Sequence, residues 1–263
     1  MPKENSSGVQ SVVRALSLLN VLADCPTDCS LSEITKQANL PSSTVHRLLS
    51  SLVRAGYVTQ DPDTAKYALG ANLIRLSQKA VQKNDLIKIA RPWLEELAQR
   101  TGETVNLTAR FDDSVIQLDH VDSNNMLRVS YPAGERFPMH ASASGKIFLA
   151  FMPSTECQRV LASTLHAFTH ATLVRRLDLE QEIQIVRAQG FAFDDAEREV
   201  GVRCVAAPIR NSRNEVAAAI SISGPSTRVS VERLRQLAIS LIATASEISE
   251  AWRDSRMRIA GET

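Results

Sequence analysis

The chain has almost no charge surplus: 30 Lys and Arg face 29 Asp and Glu across 263 residues. No long basic tail is present to grip a polyanion, so phosphate binding has to come from a few placed contacts. Apolar runs of membrane-spanning length are missing, and the opening MPKENSSG holds no apolar signal core. Both absences point to a cytoplasmic protein with no membrane partner. Cysteines number only four, Cys25, Cys29, Cys157 and Cys204, and in that compartment they are expected to be reduced. No second Cys or His pair follows Cys25 and Cys29 at zinc-finger spacing, and the stretch between them is polar. His166 and His170 have the i, i+4 spacing of two ligands on one helix face, without a third ligand nearby. No metal is expected at either place. The glycine fingerprint G-x-G-x-x-G and the elbow G-x-S-x-G are also absent. Residues 143–146, Ala-Ser-Gly-Lys, look like the end of a phosphate loop, but His140 stands where the first Gly is needed and Ile147 replaces the hydroxyl. No cofactor is implied. Internal repeats and low-complexity segments are lacking as well.

What the chain does have is concentrated in residues 30–69. Ser30 and Glu33 are spaced as a capping box that opens a helix running to about Ala38. Asn39-Leu40-Pro41 breaks the pattern, and a second helix is predicted over 41–55. There Val45, Leu48, Leu49 and Leu52 form one apolar stripe. The opposite face carries Ser43, Arg47, Ser50 and Arg54, flanked by Ser42, Thr44 and His46. Short hydroxyls at a helix start with cations further along suit a recognition helix, whose first residues meet base edges and whose basic residues meet phosphate or guanine. Gly56 ends the helix. Residues 57–59 and 66–69 then alternate as strands around Asp61-Pro62-Asp63-Thr64, a hairpin whose Lys66 is placed to touch a phosphate. A helix over 9–23, with Val12, Val13, Leu16, Leu19 and Leu22 inward, completes a three-helix core. The order is that of a winged helix-turn-helix. Residues 1–80 hold eight Lys/Arg against six Asp/Glu, so one copy binds DNA weakly and a dimer on two half-sites is the usual remedy.

Past Gly70 the pattern predicts a helix over about 71–84, then one opened by Pro92 and running to Arg100. This region serves as interdomain connection and candidate dimer contact. From Glu103 the period changes. Residues 104–111 and 114–121 alternate around Asp112-Asp113 as a hairpin, and 127–131 reads as a further strand. Helices are predicted over 142–151, 154–163 and 179–189, and strands over 191–194, 204–210 and 216–223. A last long helix carries Leu234, Leu237, Leu241, Ala245, Ile248 and Trp252. Strands and helices without regular βαβ alternation indicate an α+β domain with a mainly antiparallel sheet.

Within that domain, His140-Ala-Ser-Ala-Ser-Gly-Lys146 puts small residues at a helix start, where free amides attract an anion. Asp194 and Cys204 stand at predicted strand ends. Ser221 and Ser223 share one strand face. A pocket with apolar walls and a few directed polar groups is what a small carboxylate needs. Taken singly, each feature is equally well a helix cap, a buried thiol or a strand end.

The combined pattern resembles the IclR family of bacterial transcriptional regulators. The lines that carry it are GVQSVVRALSLL (8–19), LPSSTVHRLLSSLVRAGYV (40–58), TGETVNL (101–107), FPMHASASGKIFLA (137–150), GFAFDDAEREVGVRCVAAPI (190–209) and AAISISGP (218–225). The resemblance implies a winged helix-turn-helix DNA-binding domain over 8–70, a linker helix over 71–88 and a GAF-like effector-binding domain over 89–254. It implies a homodimer or dimer of dimers on a (pseudo)palindromic double-stranded DNA operator, responding to a small carboxylate effector. Carried over by position, the carboxylate meets the amides of Ala143 and Ser144, Asp194, Cys204, Ser221 and Ser223 are polar contacts, and Val129, Phe137 and Val202 are apolar walls. Ser144 stands where the family often has a small apolar residue, and Phe137 where it often has Leu. The effector itself therefore does not carry over. A rival reading is an enzyme with Cys204 as nucleophile, helped by His140 or Asp194. It requires an activating group beside the thiol, and Arg203, next in sequence, points to the other strand face. A third, a DNA-binding architectural protein with an inert second domain, leaves the anion-ready helix start without a purpose.

Overall fold

The structure, a computed structural model, describes residues 9–261, with side chains followed to Ser255. The MPKENSSG start, including Gly8 at the expected edge of the DNA-binding domain, lies outside the described residues. The chain divides into two compact units between Lys83 and Asn84.

The first unit runs α1 (Gln10–Asp24), α2 (Leu31–Ala38), α3 (Ser42–Arg54), β1 (Val58–Gln60), β2 (Tyr67–Leu69) and α4 (Ala71–Lys83). The capping box is present: the Glu33 amide donates to Ser30 Oγ at 3.4 Å and the Ser30 amide to Glu33 Oε2 at 2.8 Å. Asn39 turns the chain in the left-handed region, φ 49°, and Pro41 leads into α3. Leu18, Leu22, Ile34, Val45, Leu49, Val58 and Tyr67 form the core. At the wing tip, Asp61 Oδ1 accepts from the amides of Asp63 and Thr64 at 3.0 and 2.7 Å.

Three expectations are corrected here. Val12, Val13 and Leu16 do not face inward but stand 54%, 56% and 56% exposed. Helix α1 is apolar on more than one side, so periodicity alone selects more than one stripe. Packing against α2 and α3 selects Leu18 and Leu22 instead. Cys25 and Cys29 are not reduced but joined in a disulfide with their Cα atoms 6.7 Å apart. The loop after α1 turns back on Cys29, whose backbone is pinned to Tyr67 by bonds of 3.0 and 2.8 Å. Cys157 and Cys204 are free thiols. The 71–88 segment is not one helix, because Asn84 starts a new one: its Oδ1 accepts from the amides of Leu86 and Ile87 at 3.1 and 3.4 Å.

The second unit opens with α5 (Asp85–Thr101) and continues β3 (Thr104–Phe111), β4 (Ser114–Val121), β5 (Arg136–Pro138), α6 (Ala143–Phe151), α7 (Ser154–Leu161), α8 (Arg176–Gln189), β6 (Ala192–Asp195), β7 (Val202–Arg210), β8 (Val216–Pro225) and α9 (Val231–Gly261). Pro92 lies inside α5 rather than at its start. The Asn84 cap provides the start, and the helix's buried Leu86, Ile87, Ala90, Leu94, Leu97 and Ala98 hold it on the sheet despite the missing amide. The strands form one antiparallel sheet in the order β5-β4-β3-β8-β7-β6. One face packs on α5 and α9 through Leu107, Val205, Ile220, Leu237 and Leu241. The other packs on α6, α7 and α8 through Ile147, Leu149, Leu179, Ala206 and Ala219. Alternation along β7 and β8 divides residues between these faces, which leaves Cys204, Ser221 and Ser223 on the α6 side. Residues 127–131 form no strand, because Arg136–Pro138 takes the edge position beside β4. Ser130 is bound instead to Asp122, Oγ to Oδ1 at 2.6 Å.

Candidate functional site

Helix α3 carries the candidate DNA-reading face. Ser42, Ser43, His46, Arg47 and Arg54 are exposed, Thr44 and Ser50 are half-buried, and Lys66 is exposed on the wing. Val45 and Leu49, on the opposite side, are fully buried. Ser50 Oγ donates to the His46 carbonyl at 2.8 Å, which keeps its lone pairs turned outward. Among the described residues, Arg47 and Arg54 make no ion pair and no side-chain hydrogen bond. Their charges are uncommitted.

The second candidate is a narrow cavity of about 40 Å³ between the sheet and the start of α6. Strand register builds its floor. Asp194 on β6 pairs with Cys204 on β7, and Cys204 with Ser223 on β8, so three polar groups stand in one row. One step along, Ser221 pairs with Asn106 on β3. Asn106 Nδ2 donates to Ser223 Oγ at 3.0 Å and to Ser221 Oγ at 3.4 Å, and its Oδ1 accepts from Gln117 Nε2 at 2.8 Å. These are buried amide and hydroxyl groups with fixed roles, so the floor is rigid.

Helix α6 closes one end. Ser142 caps it, its Oγ accepting from the Gly145 amide at 3.1 Å, and the amides of Ala143 and Ser144 are the first two without an intrahelical acceptor. The helix starts this close to the chain before it because residue 145 is Gly: a Cβ there falls 2.3 Å from the Met139 carbonyl oxygen. Beneath it, Lys146 is only 1% exposed. Its ammonium donates to Glu197 at 2.5 Å, Glu182 at 3.2 Å and the Phe193 carbonyl at 2.8 Å. The Glu197 amide in turn donates to Asp194 Oδ1 at 2.8 Å. Burial, with the Glu197 carboxylate nearby, pushes the Asp194 carboxyl up to about 7. Near neutrality Asp194 is thus close to half protonated and able to donate to an anion.

The cavity brings together Ala143, Ser144, Asp194, Cys204, Ser221, Ser223, Phe137 and Val202. Val129 is the exception: it lies in the irregular stretch before β5, and Tyr131 lines the cavity in its place, its ring edge-on to Phe137 at 5.0 Å. Sequence reasoning missed Asn106, Thr108, Gln117, Tyr131, Ser142 and Arg198, which also line it. Asn106 and Thr108 carried a usable signal, since with Thr104 and Arg110 they make one face of β3 polar while the other is apolar. Arg198 gave none, lying in a turn between strands.

Burial and the Asp194 carboxyl push the Cys204 thiol up, the reverse of what a thiol nucleophile needs. Arg203 does point away, donating to Asp195 at 2.5 Å. His166 and His170 lie outside any helix, and no group of three or more candidate metal ligands occurs among the described residues. No helix of the described residues is long and apolar enough to cross a membrane.

Comparison with known proteins yields matches along both units. The model of the IclR helix-turn-helix domain matches residues 11–62, and that of the bacterial transcriptional regulator IclR C-terminal domain matches residues 78–250. The transcriptional repressor IclR of Escherichia coli is 38% identical over 247 residues, covering 93% of this chain and 90% of the repressor. The crystal structure of an IclR transcriptional regulator from Alicyclobacillus acidocaldarius superposes with TM-score 0.84 at 29% identity, covering 93% of this chain and 99% of the other. An IclR homologue from Microbacterium hydrocarbonoxydans, solved in complex with 4-hydroxybenzoate, superposes with TM-score 0.79 at 26% identity, covering 93% and 100%.

Proposed function

Since this chain belongs to the IclR family of bacterial transcriptional regulators, we propose that it is a sequence-specific regulator whose operator binding is modulated by a small organic acid held in the cavity at the start of α6. DNA binding belongs to the family; the reading residues and the acid are the proposal. The observation that carries it is convergence: groups from β3, β4, β6, β7, β8 and α6, far apart in sequence, line one narrow cavity. An acid's carboxylate takes the Ala143 and Ser144 amides, and Asp194, Ser221 and Ser223 orient the rest. That the Microbacterium homologue holds a carboxylic acid supports this chemistry.

On DNA, α3 lies in the major groove with Ser42, Ser43, Thr44, His46 and Arg47 toward base edges, while Ser50, Arg54 and Lys66 face the backbone. The exposed stripe of Val12, Val13 and Leu16 on α1, with Val9 just before it and Ile74, Leu76 and Val81 on α4, is covered by a second copy of the chain. That dimer reads a (pseudo)palindromic operator. The acid acts by binding more tightly to one arrangement of the paired reading heads, since only differential affinity shifts such an equilibrium.

The test is a thermal-shift screen of the whole chain against small oxo acids, sugar acids and aromatic acids, repeated with Ser221→Ala. Binding to the native form adds about 2.7 kcal/mol at a hundredfold excess over Kd. A shift that Ser221→Ala weakens is the expected result. A shift that it leaves intact moves the acid to another site.

A further inference from the structure

Among the described residues, Arg198 is the one arginine lining the cavity. Its Nε is buried without a hydrogen-bond partner, and among the described residues its guanidinium makes no ion pair. The neighbouring carboxylates are committed elsewhere, Glu197 to Lys146 at 2.5 Å and Glu199 to the Tyr131 hydroxyl at 3.0 Å. The guanidinium is nevertheless held in place. It lies 4.5 Å from the centroid of the Phe168 ring, which packs in turn against His140 at 5.9 Å. His140 is fixed through Nε2 to the His166 carbonyl at 2.9 Å. A stacked, partly dehydrated arginine with unused donors is a strong donor site for a planar oxyanion, to which it donates through two parallel bonds.

Resting on the reading of this cavity as an organic-acid site, we propose that Arg198 binds a second carboxylate and that the effector is a short dicarboxylate. The first carboxylate takes the amides at the start of α6, and the second closes on the Arg198 fork. Asp194, whose carboxyl is pushed up to about 7 and so is partly protonated near neutrality, and the Cys204 thiol also line the cavity. The remaining lining is neutral amide, hydroxyl and apolar surface, so the amides and the guanidinium are the two electropositive poles. A monoacid of the same length satisfies one pole and presses an apolar tail against the other, leaving buried donors unpaired. The small cavity excludes long chains.

Isothermal titration of the whole chain with malonate, succinate and glutarate, against propionate, butyrate and pentanoate, tests this. Wild type is expected to bind its best diacid about tenfold or more tightly than the monoacid of equal length. Arg198→Gln is expected to erase that ratio, and Arg198→Lys, which keeps charge without the fork, to retain part of it. Unliganded melting confirms that each variant folds, and if the Gln variant does not, the Lys variant carries the comparison. A wild-type preference for monoacids, or a diacid preference that survives Arg198→Gln, overturns the assignment. Monoacid binding that Ser221→Ala weakens, with no diacid preference, leaves the cavity reading standing and removes Arg198. Binding by neither class sinks both.

Discussion

On α3, Arg47 and Arg54 stand in solvent with no partner among the described residues. In the sheet unit, Lys146 is 1% exposed and held between Glu182 and Glu197. The contrast extends to the hydroxyls, exposed at Ser42 and Ser43 but buried at Ser221 and Ser223 within reach of Asn106. In the proposed function, one unit leaves its polar groups unsatisfied for DNA, which is large and supplies the acceptors. The other satisfies most of them internally, so that the proposed small acid meets a fixed arrangement and needs to bring few contacts of its own.

The sharpest way to break this comparison is to remove the buried cation. Lys146→Ala leaves the buried Glu197 beside the half-buried Glu182 with no cation between them, and we expect a loss of about 3–5 kcal/mol in urea unfolding. A loss under about 1 kcal/mol puts Lys146 on the same footing as a surface charge. The matching change on the exposed side is Arg47→Ala. It should cost about 1–3 kcal/mol of DNA binding by fluorescence anisotropy while shifting unfolding by no more than about 0.5 kcal/mol. Unaltered affinity and site preference exclude Arg47 as a reader.

Asp194 sharpens the comparison through pH. Because its folded value is raised to about 7, the native chain keeps a proton that the unfolded chain releases above about 4. Stability from this group is therefore full below that range and declines as pH rises toward about 7. Acid binding follows the protonated fraction and should weaken about tenfold between about pH 6 and 8. Asp194→Asn should flatten the stability slope, and an unchanged slope assigns it to other groups. The smallest effect belongs to the capping box: Ser30→Ala should cost about 1 kcal/mol, read as a lower thermal midpoint. No change would mean that α2 is held by packing alone.

The same contrast explains what the sequence made legible. The helix-turn-helix is local: capping box, Pro41, the stripe from Val45 to Leu52 and the wing turn lie within a few residues of what they control. Its miss was rotational, since α1 offers two apolar stripes and only its neighbours choose between them. The cavity is non-local. Asp194, Cys204 and Ser223 meet because three strands run in one register, which spacing along the chain does not encode; the strand pattern singled them out one by one, and the family resemblance gave them a shared role. Val129 lies in an irregular segment and is not among the residues lining the cavity. Tyr131 and Arg198 sit in such segments as well, and their place at the cavity emerged only with the fold. The Cys25–Cys29 bridge was hidden for a different reason: expectation followed the compartment rather than the loop that turns the two residues together.

The proposed function requires that the cavity and the reading helix be energetically coupled. Its most direct test is the affinity of the whole chain for a duplex it selects from a random-sequence pool, measured by anisotropy with and without saturating succinate or butyrate, whichever binds more tightly. The account predicts a change in affinity of about fivefold or more, with DNA altering the acid's Kd by the same factor. An affinity for DNA that saturating acid leaves unchanged contradicts it.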